Sequence, residues 1–240
     1  MINSDINKYT LDFMSTNWVL TVTFVIALIF VVLYVGYKIP ENKKELYAKI
    51  LAYLMIAFFI INHSFLILIG KWELSKELPV HLCSISGLIC CFIMFIPVDK
   101  RQFLFEFLFY CGIIGGVQAI LTPLIDDYGG DNFFYIQFFF KHAMIIAFPI
   151  YLRNQMGMKL TKFSWIKTWV VLNIFMFILI PLNNYLGSNY MYVNIPPAVD
   201  NPLVIGEWPV YLYWWEVFVL ILIIVVFVIG KPRSSFEKIK

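Results

Sequence analysis

The chain has 240 residues, of which 61% are hydrophobic and only 14% charged, with a mean hydropathy of +0.81. Ordinary soluble domains carry about 25% charged residues, so this balance excludes a water-soluble globular fold and makes lipid the expected solvent of most of the surface. The formal net charge of +3 requires no nucleic-acid partner, because the basic residues are spread over short connections between apolar runs.

A helix needs about 20 apolar residues to cross a hydrocarbon core of about 30 Å, and seven runs qualify: 17–37, 49–70, 79–97, 103–122, 133–152, 164–186 and 209–230. They are continuously apolar rather than alternating, which excludes a transmembrane barrel. The expected fold class is all-α, a polytopic membrane helical bundle of about seven transmembrane helices. No internal repeat, low-complexity tract or linker divides it, so residues 1–240 are expected to form a single integral membrane domain.

The first run follows a polar stretch with Asp5 and Asp12. It is too long for the core of a signal peptide and lacks a small-residue cleavage site behind it, so it is expected to stay as a span. Lys38, Lys43, Lys44, Lys49, Lys100, Arg101, Arg153, Lys159, Lys162, Lys167, Lys231, Arg233, Lys238 and Lys240 fall in connections on one side. Only Lys8, Lys71 and Lys76 fall on the other, with Asp126, Asp127, Asp131, Asp200 and Glu207. The positive-inside bias therefore predicts a multi-pass protein of the cell membrane with its N-terminus outside and its C-terminus cytoplasmic. The basic tail 231–240 is expected to act as a cytoplasmic stop.

The second run carries His63, and the third opens with LPVHLCSISGLICC. Pro79 suits a first helical position, where its missing N–H needs no partner, which predicts a helix from there with Cys83 in its second turn. The fourth run brings Gln118, the fifth His142 within QFFFKHAMIIAF, the sixth Asn183 and Asn184, and the seventh Glu216. At about 1.5 Å per residue these groups all fall in the outer half of the membrane, and polar groups inside spans mark functional sites by default. Glu106 and Asn173 break that pattern and read as an interfacial carboxylate and a helix–helix hydrogen bond. The link 187–208, GSNYMYVNIPPAVDNPLVIGEW, is long enough for a lid.

Thiolate is the nucleophilic form of cysteine, so Cys83 needs a base. On a regular helix His81 points away from it, leaving His142 as the first choice and His63 as the second, with His81 orienting substrate or donating to an oxyanion. A packing role for Cys83 beside Ser86, Gly87 and Cys90 stays open. No HxxxH or CxxC pair offers two metal ligands on one face, so neither a metal nor a cofactor is expected. The four cysteines all lie within spans, which argues against a disulfide framework. Most aromatics near span ends, Trp208 and Tyr211 among them, read as interfacial anchors.

Several of these segments resemble the YwaF-type integral membrane proteins of bacteria, which have a eukaryotic transmembrane relative described as a phospholipid acyltransferase. The resemblance runs over nearly the whole chain and is carried by LPVHLC at 78–83, the histidine after an aromatic stretch at His142, LGSNYMY at 186–192 followed by Pro196 and Pro197, and WPVYLYWWE at 208–216. It implies that Cys83 is a nucleophile carrying an acyl thioester, with His142 and His81 as the catalytic histidines. His63, Asn189, Tyr190, Glu216, Gln118, Trp208 and Tyr211 make up the expected substrate-binding set, with membrane lipids as substrate and solvent. A non-enzymatic transporter or solute-binding protein with an outward-facing polar cavity is the alternative, and an assembly or scaffolding protein a third reading.

Overall fold

The computed structural model describes residues 9–125, 132–197 and 204–231. Asp5, Lys8, Asp126, Asp127, Asp131, Asp200, Arg233, Lys238 and Lys240 lie outside the described residues, as does nearly all of the tail.

Helix α1 (Thr16–Lys38) starts at Ser15, whose hydroxyl accepts the Trp18 N–H at 3.2 Å. It stops at Ile39, because the residue before a proline is pushed into extended backbone. Helix α2 (Lys44–Leu68) ends beside Gly70 at φ +68°, with the Lys71 N–H returning to the Leu66 carbonyl. This left-handed close satisfies carbonyls that a helix end would leave open. A four-residue helix, α3 (Leu74–Glu77), and α4 (Leu82–Phe92) follow. The fourth run folds as α5 (Gln102–Phe107) and α6 (Ile113–Leu121), joined through a π-helical turn at Leu108–Gly112. The remaining helices are α7 (Asn132–Gln155), α8 (Ser164–Leu186) and α9 (Val210–Gly230). A two-residue pairing of β1 (Tyr9–Thr10) with β2 (Leu124–Ile125) closes one end.

The fold is thus an all-α polytopic bundle, with six helices long and apolar enough to span a membrane among the described residues. The third segment departs from the expected full span. Its helical part, Leu82–Phe95, measures about 21 Å at 1.5 Å per residue, short of a bilayer core. Residues 78–81 reach its start as non-helical backbone. Such backbone is tolerated at membrane depth where protein covers it, and here Tyr190 does so. The Tyr190 hydroxyl accepts the Leu78 N–H at 3.0 Å and donates to the Leu74 carbonyl at 2.6 Å.

Helix α7 is the axis of the bundle, packing against α1, α2, α4 and α6. Its approach to the π-helical turn and α6 is close: a Cβ at Gly112 would stand 2.4 Å from the Ile145 carbonyl oxygen, and one at Gly116 would stand 2.6 Å from Ile146 Cγ1. Glycine lets the two backbones meet. The outer helices instead expose large side chains such as Leu20, Phe24, Phe177 and Ile229, as a lipid-facing surface requires.

The end that carries the basic connections is tied shut. Arg101 donates to the Met94 and Ile96 carbonyls, Tyr151 to the Lys44 carbonyl, and Arg153 to the Gly230 carbonyl at the close of α9. Glu106 belongs to this set and is not the interfacial carboxylate expected. It is 1% exposed and accepts from Gln102 Nε2 and the Thr161 N–H through one oxygen. Polar residues thus tie the helix ends together on this side.

Candidate functional site

A cavity of about 410 Å3 lies within the bundle, walled by α2, α4, α6, α7, α8 and α9. Cys83, His81, His142, Gln118 and Glu216 all line it. A second cavity of about 90 Å3 adjoins it.

Cys83 owes its setting to where α4 begins. His81 is the cap residue, in extended backbone, and Leu82 the first helical residue. Cys83 is therefore in the first turn, not the second, because Pro79 lies in the approach rather than at the helix start. The first intrahelical bond runs from the Ile85 N–H to the His81 carbonyl, and no side chain caps this end. The N–H groups of Leu82, Cys83 and Ser84 thus form the positive pole of α4, where the helix dipole acts most strongly. Since His81 precedes the helix, the rule that residues two apart diverge does not apply, and both side chains line the one cavity.

Gly115 and Gly116 of α6 lie against the Cys83 thiol and the backbone of the His142 turn. A Cβ at Gly115 would stand 3.1 Å from Cys83 Sγ, and one at Gly116 would stand 3.1 Å from the His142 carbonyl oxygen. Cys83 and the His142 turn of α7 therefore both pack against α6. His142 is 3% exposed, with Nδ1 at 2.6 Å from the Phe138 carbonyl oxygen. A carbonyl can only accept, so Nδ1 carries the proton and the neutral ring keeps its lone pair at Nε2. His81 has the opposite tautomer. Its Nδ1 accepts the Met191 N–H at 3.2 Å, so the neutral ring carries its proton at Nε2. One neutral ring thus presents a lone pair at Nε2 and the other an N–H.

Glu216 stands in the wall formed by α9. Its Oε2 accepts from Trp169 Nε1 at 2.8 Å and Asn173 Nδ2 at 2.9 Å, both on α8. Asn173 therefore makes the expected interhelical bond. His63 lines the smaller cavity instead, its Nδ1 accepting from Trp72 Nε1 at 2.9 Å.

Asn189, Tyr190, Trp208 and Tyr211 do not line either cavity; they hold the outer loop together. Asn189 exchanges two bonds with the backbone of Ile195. Trp208 Nε1 donates to the Val193 carbonyl, and the Tyr211 hydroxyl to the Tyr192 carbonyl. Burial raises the pKa of the Tyr190 phenol, against the lowering effect of the Leu78 N–H, which keeps it a neutral donor to Leu74. Asn183, wholly buried, bonds Ser188, Asn194 and both backbone groups of Tyr190. This braced loop positions Met191, the donor to His81.

Sequence reasoning passed over Lys141, Asn62, Gln137 and Cys111, all of which line the larger cavity. For Lys141 the signal was present: it is the one basic residue that no connection between spans accounts for. Cys111 sits in the π-helical turn, a distortion common at functional sites, and no sequence pattern announces it. Among the described residues no three His, Cys, Asp or Glu side chains gather as a metal site would require.

Fold and site together define a multi-pass helical membrane protein with a mainly apolar cavity inside the bundle, lined in part by polar side chains. The family model of the TMEM164 family, a transmembrane protein family, matches residues 13–227, and the chain belongs to that family. No curated protein and no solved structure gives a significant match.

Proposed function

We propose that this protein is a membrane-embedded acyltransferase that moves lipid acyl chains through a thioester on Cys83. The observation that supports it is one cavity holding Cys83, in the uncapped first turn of α4, with a histidine whose tautomer leaves Nε2 as a base. The resemblance of the LPVHLC segment and its companions to YwaF-type proteins and their acyltransferase relative supports the same chemistry.

In the first half-reaction His142 Nε2 takes the thiol proton and Cys83 Sγ attacks the ester carbonyl. The S–C bond forms, the ester C–O bond breaks, and the imidazolium returns the proton to the departing alkoxide. The tetrahedral oxyanion meets the first-turn N–H groups of α4 and the His81 N–H, donors fixed before the reaction begins. In the second half-reaction the acceptor hydroxyl gives its proton to His142 and attacks the thioester. The C–S bond breaks, and the proton goes back to the thiolate. The apolar wall of Leu172, Met176, Val219 and Ile223 suits the acyl chain.

The charge asymmetry of the connections supports an N-terminus outside the cell membrane and a cytoplasmic C-terminus, an orientation in which Cys83, His142 and Glu216 belong to the outer half of the membrane. The test is incubation of purified protein with acyl-labelled phospholipid. A hydroxylamine-sensitive label on the wild type that Cys83→Ala lacks is expected. Equal acyl transfer by Cys83→Ala would sink the proposal, and ligand-dependent stabilisation without lipid turnover would mark a binding protein instead.

A further inference from the structure

The larger and smaller cavities share six lining residues, Asn62, Lys76, Glu77, Ser84, Gln137 and Lys141. Every one is polar, although most of the larger cavity's wall is apolar. The seam draws on α2, α3, α4 and α7, so it is an assembled feature and not the face of one helix.

Lys141 is the charge that α7 contributes to it. It lies nine residues into α7, about 14 Å along the axis, at a depth where a charge is costly and is expected to have a partner. The usual escape for such a lysine is to extend its stem to the membrane surface. Here the stem turns inward instead: its Cγ and Cδ lie 3.9 Å from the position a Cβ would take on Gly87 of α4. Among the described residues no carboxylate forms an ion pair with Lys141. Lys76 already pairs with Glu73 at 3.3 Å, and Glu77 brings a carboxylate to the α3 side of the seam. The remaining three side chains, Asn62, Ser84 and Gln137, are neutral donors.

One unpaired ammonium with amide and hydroxyl donors from three helices is complementary to a tetrahedral anion with several acceptor oxygens, which lysine binds as a point charge. We propose that Lys141, Asn62, Ser84 and Gln137 form a phosphate subsite that holds the anionic group of a ligand beside Cys83. The apolar wall beyond it makes a lipid the source of that phosphate, a step that rests on the acyl-transfer reading; a free phosphate ion would have the same recognition chemistry.

Melting of the purified protein in a neutral detergent, titrated with octyl phosphate, inorganic phosphate or octanol, tests this. Octyl phosphate is expected to stabilise the wild type, and Lys141→Gln to weaken its apparent affinity about tenfold, the scale of one charged hydrogen-bonding partner. Lys141→Arg is expected to bind within about threefold of wild type. Gln137→Leu, which leaves the charge in place, is expected to weaken binding by about fivefold, so the test survives if Lys141→Gln does not fold. A response confined to octyl phosphate assigns the anion to a lipid, whereas an equal, Lys141-dependent response to inorganic phosphate assigns it to the free ion; either upholds the subsite. Octyl phosphate binding that is unchanged in both Lys141→Gln and Gln137→Leu, or no tighter than octanol binding, overturns it. Cys83→Ala, which removes the proposed nucleophile, is expected to keep the Lys141-dependent binding, so loss of acyl transfer and loss of the subsite are read separately.

Discussion

Gly115→Ala is the smallest change that addresses the proposed nucleophile. The new methyl would stand 3.1 Å from Cys83 Sγ, where heavy atoms rest at about 3.5–4.0 Å, so the thiol must retreat by roughly half an ångström. The other atoms near that methyl belong to Leu82, at 3.7 and 3.9 Å, which is ordinary contact. Alanine also favours the helix over glycine by up to about 1 kcal/mol, which offsets the crowding. Net stability is therefore expected to change by less than about 1 kcal/mol, while acylation suffers, since a misplacement of about 1 Å costs up to about a hundredfold in rate. A loss of about tenfold in the rate of thioester formation, with the melting temperature nearly unmoved, is the expected outcome. The assay is time-resolved hydroxylamine-sensitive labelling in lipid nanodiscs beside a thermal melt. Labelling at the wild-type rate in a folded Gly115→Ala protein would refute the idea that Sγ position against α6 governs reaction.

Three further outcomes are expected. His142→Gln keeps a polar side chain but removes the base, so acyl transfer should fall by about 10²–10⁴; a loss below threefold in the same labelling assay would reassign the base. Tyr190→Phe leaves the Leu78 N–H and Leu74 carbonyl without their partner and should destabilise by about 1–3 kcal/mol, read as a lowered denaturation midpoint. Single cysteines at Lys71 and Lys159 in a background lacking the native four should differ in labelling of intact cells by an impermeant maleimide. Lys71→Cys should react and Lys159→Cys should not, and the reverse would invert the proposed orientation.

Length and apolarity alone made the long helices legible, because α1, α2, α7, α8 and α9 are decided by a one-dimensional requirement, enough apolar residues to cross. The start of α4 was not legible. Pro79 satisfies a first helical position and an extended approach equally well, and the extended approach is held by Tyr190, which bonds Leu78 from 112 residues further along the chain. A separation of 110 residues likewise hid the tautomer of His81, which depends on the Met191 N–H. Tyr190 and Asn189 looked like ligand contacts because loop polar groups often are; backbone groups that need partners in the loop occupy them instead. Lys141 stood next to a histidine already singled out, and sequence has no means of showing that its stem would turn toward Gly87 rather than toward water.

The shortness of α4 bears on how the protein is made. With only the stretch Leu82–Phe95 to offer, α4 falls below the apolar length that commits a segment to the bilayer by itself, so it settles only when later helices arrive to receive it. Helices α6 and α7, which carry Gly115 and His142, are translated after it. The thiol of Cys83 therefore reaches its half-buried position only once the groups that surround it exist. Ribosome-stalled chains ending before α7 should leave Cys83 open to a water-soluble maleimide, and chains ending after α9 should protect it. Equal protection in both would show that α4 inserts unaided.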